Sequence, residues 1–139
     1  MKSLSGRLGV ILIGIIIFGC AEVRGDDWKS LNTTESGVNY YNAESITRLP
    51  KNIVRVWVKA ELSEKGVKDM VATLGKRYAK LSYVLFLNEI DCGERASRLL
   101  SVVVYSEDGS VINRVDSPNQ FTYILPETLD NYLYKAVCK

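Results

Sequence analysis

Between Ile53 and Leu62 the chain alternates without a break, with Val54, Val56, Val58, Ala60 and Leu62 on one side and Arg55, Lys59 and Glu61 on the other. A period of two places successive side chains on opposite faces of an extended strand, so this stretch is a strand with one face in a core. Trp57 shares the polar side, which predicts that this side is covered in part. Residues 83–87 and 99–105 are apolar almost throughout, the pattern of central strands covered on both faces. Ser106-Glu107-Asp108-Gly109-Ser110 then supplies a turn, because Asp-Gly suits the positive φ that tight turns need, and Val111–Val115 returns as a hairpin partner. Two segments carry helical periodicity instead. In residues 64–76, Val67, Val71 and Leu74 recur four and three apart, with Gly66 and Gly75 limiting the length. A second helix is predicted from near Pro126, since Pro and Glu suit a first helical turn. Leu129, Leu133 and Val137 then repeat every four residues, with Tyr132 and Ala136 beside them. Such a stripe needs a sheet to lie on. The order of elements argues an α+β fold, a single antiparallel sheet of about five to six strands with a C-terminal helix packed on it.

The beginning of this 139-residue chain is an address rather than part of that fold. Lys2 and Arg7 are the only charges before Glu22, and residues 8–18 contain only Leu, Val, Ile, Gly and Phe. A helix of that length, about 16 Å, covers little over half of a roughly 30 Å hydrocarbon core. A basic start, a short apolar run and then small residues form an export signal, in preference to a buried core helix or a membrane anchor. Ile17-Phe18-Gly19-Cys20 resembles the lipobox of bacterial lipoproteins. That resemblance implies a signal peptide over residues 1–19, cut before Cys20, and a diacylglycerol on the Cys20 thiol that holds the protein on a membrane. Residues 20–27 are then the lipidated Cys and a short tether, and residues 28–139 the single domain. Ala21 is not the Asp that retains many lipoproteins at the inner membrane, so an outer-membrane destination leads. The alternative is a soluble periplasmic or secreted protein cut after Ala21 or Gly25.

Charge and cysteine count narrow the chemistry. The chain has 18 Lys and Arg, 16 Asp and Glu, and no His. Loss of Lys2 and Arg7 with the signal leaves a formally neutral domain, and nothing global points to nucleic acid as a partner. Without His there is no Ser-His-Asp or Cys-His machinery and no His-ligated metal. With Cys20 lipidated, Cys92 and Cys138 remain as a pair in an oxidising compartment. A structural bridge is favoured over a metal site or a redox thiol, since two Cys are too few ligands and no Cys-x-x-Cys is present. Such a bridge would fasten the end of the terminal helix to the end of a strand.

Several side-chain groups are candidates for binding. Lys76, Arg77 and Lys80, with Arg95 and Arg98 near Cys92, could present a basic surface to an acidic partner; a solvated turn is the plainer reading. Glu89, Asp91 and Glu94 cluster beside Cys92, where a carboxylate pair could serve acid–base chemistry or hold Ca²⁺, against the plainer reading of a charged strand end. Arg24-Gly25-Asp26 spells an integrin-recognition tripeptide in the tether. The eight tyrosines could stack on a ligand, although most suit the core and rim of a sheet. No phosphate-cradling Gly-rich motif occurs, and no cofactor is expected.

Val-Trp-Val-Lys at 56–59, Glu-Ile-Asp-Cys at 89–92, Arg-Leu-Leu-Ser at 98–101 and Tyr-Ser-Glu-Asp-Gly at 105–109 follow one another in order. Leu-Pro-Glu-Thr-Leu at 125–129 and Ala-Val-Cys at 136–138 complete the set, with Trp28 and Tyr40-Tyr41 ahead of it. Together they resemble the surface-adhesin protein E family of small bacterial envelope proteins, over about residues 28–138. The resemblance implies an antiparallel sheet whose C-terminal helix is tied to it by a Cys92–Cys138 disulfide, with Trp57 and Tyr105 as framework. It also implies a lipid-anchored outer-membrane protein, with adhesion to host extracellular-matrix proteins as the activity of the founding member. A basic stretch ahead of the first disulfide Cys would suit an adhesive patch; Lys76, Arg77 and Lys80 open one here, but residues 81–87 carry no charge. The resulting expectation is a non-enzymatic, adhesin-like envelope protein that binds a macromolecule through its sheet domain. The alternative is a periplasm-facing accessory module that binds another component of the same cell.

Overall fold

The computed structural model describes residues 27–116 and 118–139. The signal run, Cys20 and the Arg24-Gly25-Asp26 tripeptide lie outside the described residues. Eight strands form one sheet. In chain order they are β1 (Trp28–Thr34), β2 (Gly37–Asn42), β3 (Thr47–Leu49), β4 (Ile53–Leu62), β5 (Leu81–Asp91), β6 (Ala96–Ser106), β7 (Val111–Val115) and β8 (Thr122–Tyr123). Helix α1 (Glu64–Leu74) joins β4 to β5, and α2 (Leu129–Val137) ends the chain. Every pairing is antiparallel.

The three long strands β4, β5 and β6 lie side by side at the centre. Along the free side of β4, β2 and β3 lie end to end, and along the free side of β6, β7 and β8 do the same. The break between β2 and β3 is a 3₁₀ turn at Ala43–Ser45, where the Asn42 side chain accepts from the Glu44 amide at 2.9 Å. Opposite this break the Trp57 amide has no strand partner, and it donates to Ser45 Oγ at 3.0 Å instead. The strand count exceeds the expected five to six for a simple reason. Strands β3 and β8 have three and two residues, too few to alternate, and β1 and β2 are built largely from Ser, Thr, Asn and Gly.

Strand register divides the side chains between two faces. Val54, Val56, Val58 and Ala60 of β4 stand opposite Ile90, Asn88, Phe86 and Val84 of β5. This face carries both helices. At one end Leu133 and Val137 of α2 pack with Val54, Val56, Val58, Ile90 and Ile124, all nearly fully buried. At the other end Met70 and Val71 of α1 pack with Tyr78, Leu81, Val84 and Val104. The expected central strands are present, but cover on both sides is not: no described helix lies on the opposite face. The apolar runs of β5 and β6 reflect the size of that second face, where Leu85 and Leu87 are only half-buried.

Both helices begin where a side chain caps them. Ser63 accepts from the Gly66 amide at 3.1 Å at the start of α1. Gly66 shortens the apolar pattern but meets a packing need, since a Cβ there would stand 2.2 Å from the Ser36 carbonyl oxygen in the β1–β2 turn. Helix α2 starts later than Pro126 suggests. Glu127 sits at a φ of 62°, which breaks helical continuity, and Thr128 becomes the cap by accepting from the Asn131 amide at 3.3 Å. Pro126 therefore belongs to the approach, not to the first turn.

A disulfide joins Cys92, just past β5, to Cys138, just past α2, with Cα atoms 5.5 Å apart and a sequence separation of 46. The Arg48 guanidinium donates to the Val137 carbonyl at 3.2 Å and holds the same helix end from β3. By loop-closure entropy the bridge contributes about 4 kcal/mol. Replacing both cysteines by Ser should lower the unfolding free energy by that amount in urea titrations, and reductant should lower the wild type equally. Unchanged midpoints would refute the contribution. Leu133→Ala, at a position 1% exposed, should cost about 3 kcal/mol in the same titrations.

Candidate functional site

The face without helices presents one continuous strip across β4, β5 and β6. Its rows pair Glu61 with Tyr83, Lys59 with Leu85, Trp57 with Leu87 and Arg55 with Glu89 across β4 and β5. Tyr105, Val103, Ser101 and Arg98 continue the same rows on β6. Trp28 and Tyr40 extend the strip at the β1–β2 edge.

The aromatic end is organised by Lys59. Its Nζ lies 4.7 Å from the Trp28 ring centroid, 5.7 Å from Tyr40 and 5.6 Å from Tyr83. A cation set against three aromatic faces is held by their quadrupoles, while Glu61 Oε2, 3.5 Å away, supplies an opposite charge. Tyr83 stacks on Tyr105 with ring centroids 4.7 Å apart and planes 15° from parallel. Burial pushes the Tyr83 phenol above its ordinary value, with Tyr105 adding to it; burial and then Glu61 do the same for Tyr40. The Tyr83 hydroxyl can therefore donate to a partner, whereas that of Tyr40 is engaged by Glu61. The middle of the strip is apolar, with Trp57, Leu85 and Leu87 half-buried around a buried Val103.

At the other end Glu89 is 2% exposed and held by two guanidinium groups. Its Oε2 accepts from Arg55 Nε at 3.0 Å and Nη2 at 2.7 Å. Its Oε1 accepts from Arg98 Nε at 2.9 Å and lies 2.7 Å from Arg98 Nη2. Arg98 also stacks on Phe121, 4.7 Å from the ring centroid. The triad clamps β4, β5 and β6 in register and leaves one positive charge in excess. Burial alone would raise the Glu89 carboxyl, but the hydrogen bonds and charges of Arg55 and Arg98 outweigh it and hold the carboxyl below the usual range. Glu89 is therefore an ionised strut rather than a general acid.

The five basic residues singled out in the sequence are not brought together. Lys76 and Arg77 lie in a 3₁₀ turn after α1 and Lys80 just before β5, where Arg77 donates to the Ile112 carbonyl at 2.6 Å. Arg95, in the turn past β5, and Arg98, beside Glu89, lie at the far end of that strand, whose eleven residues span about 36 Å. Arg95 donates to Asn131 Oδ1 at 2.9 Å and stacks on Tyr134, so it braces α2. The acidic residues diverge as well. Asp91 Oδ1 accepts from the Gly93 and Glu94 amides at 3.1 and 3.0 Å and shapes the β5–β6 turn, while Glu94 is exposed. Among the described residues no group of three or more acidic or Cys side chains converges as a metal site. The tyrosines split: Tyr78 is buried in the α1 core, Tyr41 and Tyr134 pack beside α2, Tyr123 and Tyr132 are exposed, and Tyr40, Tyr83 and Tyr105 join the strip. The Lys59 cluster had one sequence signal, a Lys and a Trp on the polar side of an otherwise regular strand. Its partners Trp28 and Tyr40 arrive only through strand pairing.

Glu89→Gln should cost roughly 2 kcal/mol at pH 7, because two guanidinium groups lose a charged acceptor that they partly bury. A depressed carboxyl stabilises the fold fully above its unfolded value of about 4.3, and that contribution disappears as pH falls through the folded value. The gap between wild type and Glu89→Gln in urea titrations should accordingly be full at pH 7 and close below about pH 4. A gap independent of pH would show that the ionised carboxylate is not what stabilises.

Solved structures similar to this fold include those of Haemophilus influenzae protein E. Crystal form II is 16% identical, covers 90% of this chain and 96% of that chain, and superposes with a TM-score of 0.56. A second structure of the same protein is 16% identical over 88% of this chain and 90% of that one, with a TM-score of 0.55. Protein E from non-typeable Haemophilus influenzae is 16% identical over 89% and 82% of the respective chains, with a TM-score of 0.52. At that identity the likeness establishes the fold alone. No curated protein matches the chain. The family model for surface-adhesin protein E matches residues 28–139, which is the whole folded domain described above, and the chain belongs to the surface-adhesin protein E family.

Proposed function

We propose that this chain is a non-enzymatic, adhesin-like protein of the bacterial envelope. A lipid on Cys20 holds it on the outer membrane after removal of residues 1–19, and the helix-free sheet face binds a macromolecular partner. The observation that carries this reading is the composition of that face. Trp28, Tyr40, Trp57, Tyr83, Tyr105, Arg55 and Arg98 belong to the residue types that dominate binding energy at protein interfaces, and they surround apolar Leu85 and Leu87. Strands hold these side chains in a fixed array, so little order is lost on contact. By family membership, an extracellular-matrix protein is the partner class to test first. Of the basic residues, Arg98 belongs to this face, and Lys76, Arg77 and Lys80 stand apart from it.

Two measurements test the proposal. Protease added to intact cells should remove the wild-type protein, and a Cys20→Ala strain should release it from the membrane. Protection of the wild type would favour a periplasm-facing module bound to another component of the same cell. Detergent-purified mature protein should bind immobilised matrix glycoproteins, and Tyr83→Ala with Tyr105→Ala should weaken that binding at least about tenfold with an unchanged circular dichroism spectrum. Lys80→Ala should bind as the wild type does. Equal binding by the double variant would remove the sheet face from the proposal.

A further inference from the structure

On the opposite side of the sheet, between α2 and strands β4 to β6, lies a cavity of about 490 Å³. Its walls are apolar over Val58, Phe86, Leu99, Leu129 and Leu133. Ser97, Asp130 and Asn88 are polar groups in the same lining, and Asn119, Gln120 and Thr122 are contributed by the segment that leads into β8. The volume lies within the range of small-molecule sites.

One group in the lining stands out. Asn88 pairs with Val56 on β4 and Leu99 on β6, which sets its side chain on the helix-bearing face. It is 7% exposed, and among the described residues its side-chain amide makes no hydrogen bond. A buried carboxamide without protein partners is costly unless something in the cavity pairs with it. The other polar groups are committed. Ser97 Oγ donates to Asp130 Oδ2 at 2.6 Å, and the Arg98 guanidinium is bound to Glu89 on the far face. The one cation of the lining is thus engaged by Glu89, and the Asp130 carboxylate repels an anionic ligand.

We propose that this cavity binds a small neutral amphiphile, with an apolar body against Val58, Phe86, Leu99 and Leu133 and a carbonyl or carboxamide end paired with Asn88. The site lies across the sheet from the macromolecule-binding face, and Arg98 borders both. An octyl chain fits the volume. The amide end accepts from Asn88 Nδ2 and can donate to its Oδ1, whereas a carboxylate end would be desolvated beside Asp130 without a counter-ion.

The test uses the purified mature protein, with the uncharged dye N-phenyl-1-naphthylamine as reporter and octanamide and octanoate as competitors. Octanamide should displace the dye at a concentration about tenfold lower than octanoate at pH 7. Leu99→Trp should fill the cavity and abolish dye binding. Asn88→Leu should keep dye binding and weaken octanamide more than octanoate, which narrows the preference. In the wild type, octanamide should shift the Asn88 side-chain amide resonances, a readout that no variant's folding can disturb. Absence of that shift, equal displacement by octanoate, or unaltered dye binding by a folded Leu99→Trp would each overturn the proposal.

Discussion

The antiparallel pairing of β4 with β5, from Ile53 against Asp91 to Glu61 against Tyr83, is the constraint on which the rest of the molecule depends. Side chains alternate with a period of two, so a slip of one residue would send the Val54-Val56-Val58 row away from α2 and bring Arg55 and Lys59 into the core. The Glu89 clamp opposes such a slip from the other face. Its two oxygens are met by Arg55 from one neighbouring strand and Arg98 from the other, a geometry available only in the native register. The disulfide then fastens the helix to the strand end that this register has positioned.

One consequence is a division of labour between the faces. Both helices lie on the side of Val56, and their burial accounts for the core. The other side is freed from packing duty, and its aromatic, apolar and cationic rows are arranged by strands alone. An open sheet face of this kind is stable because the opposite face supplies the burial, and because Lys59 and the arginines lay their apolar stems along it.

Much of this was legible in the residues. The period of two at β4, the hairpin turn through Asp108-Gly109, the α1 pattern and the pairing of the domain's two cysteines each report a local rule or a simple count. Where local rules misplaced a feature, a longer-range contact decided. Pro126 suits a helix start, but the Thr128 cap and the positive φ of Glu127 set the start of α2 three residues later. Continuous apolar runs in β5 and β6 suggest cover on both faces, yet hydrophobicity alone does not say whether a face meets a helix or awaits a partner. The short strands β3 and β8 exist only because β4 and β6 offer free edges beside them, and nothing in two or three residues can announce that.

Sequence alone determined the antiparallel sheet with its terminal helix, the pairing of Cys92 with Cys138, and the absence of histidine. These follow from composition and from periodicity along the chain, which are local quantities. Tertiary structure decided which basic and acidic side chains meet. Lys76 and Arg98 lie within one short list of charges, yet β5 holds them at opposite ends, whereas Arg55 and Arg98, far apart in the chain, close on one buried carboxylate. The Lys59 aromatic cluster and the placement of Asn88 in the cavity beneath α2 belong to the same class. The physical reason is that sites are made by cross-strand neighbours, and cross-strand neighbours are set by register, which no single segment encodes.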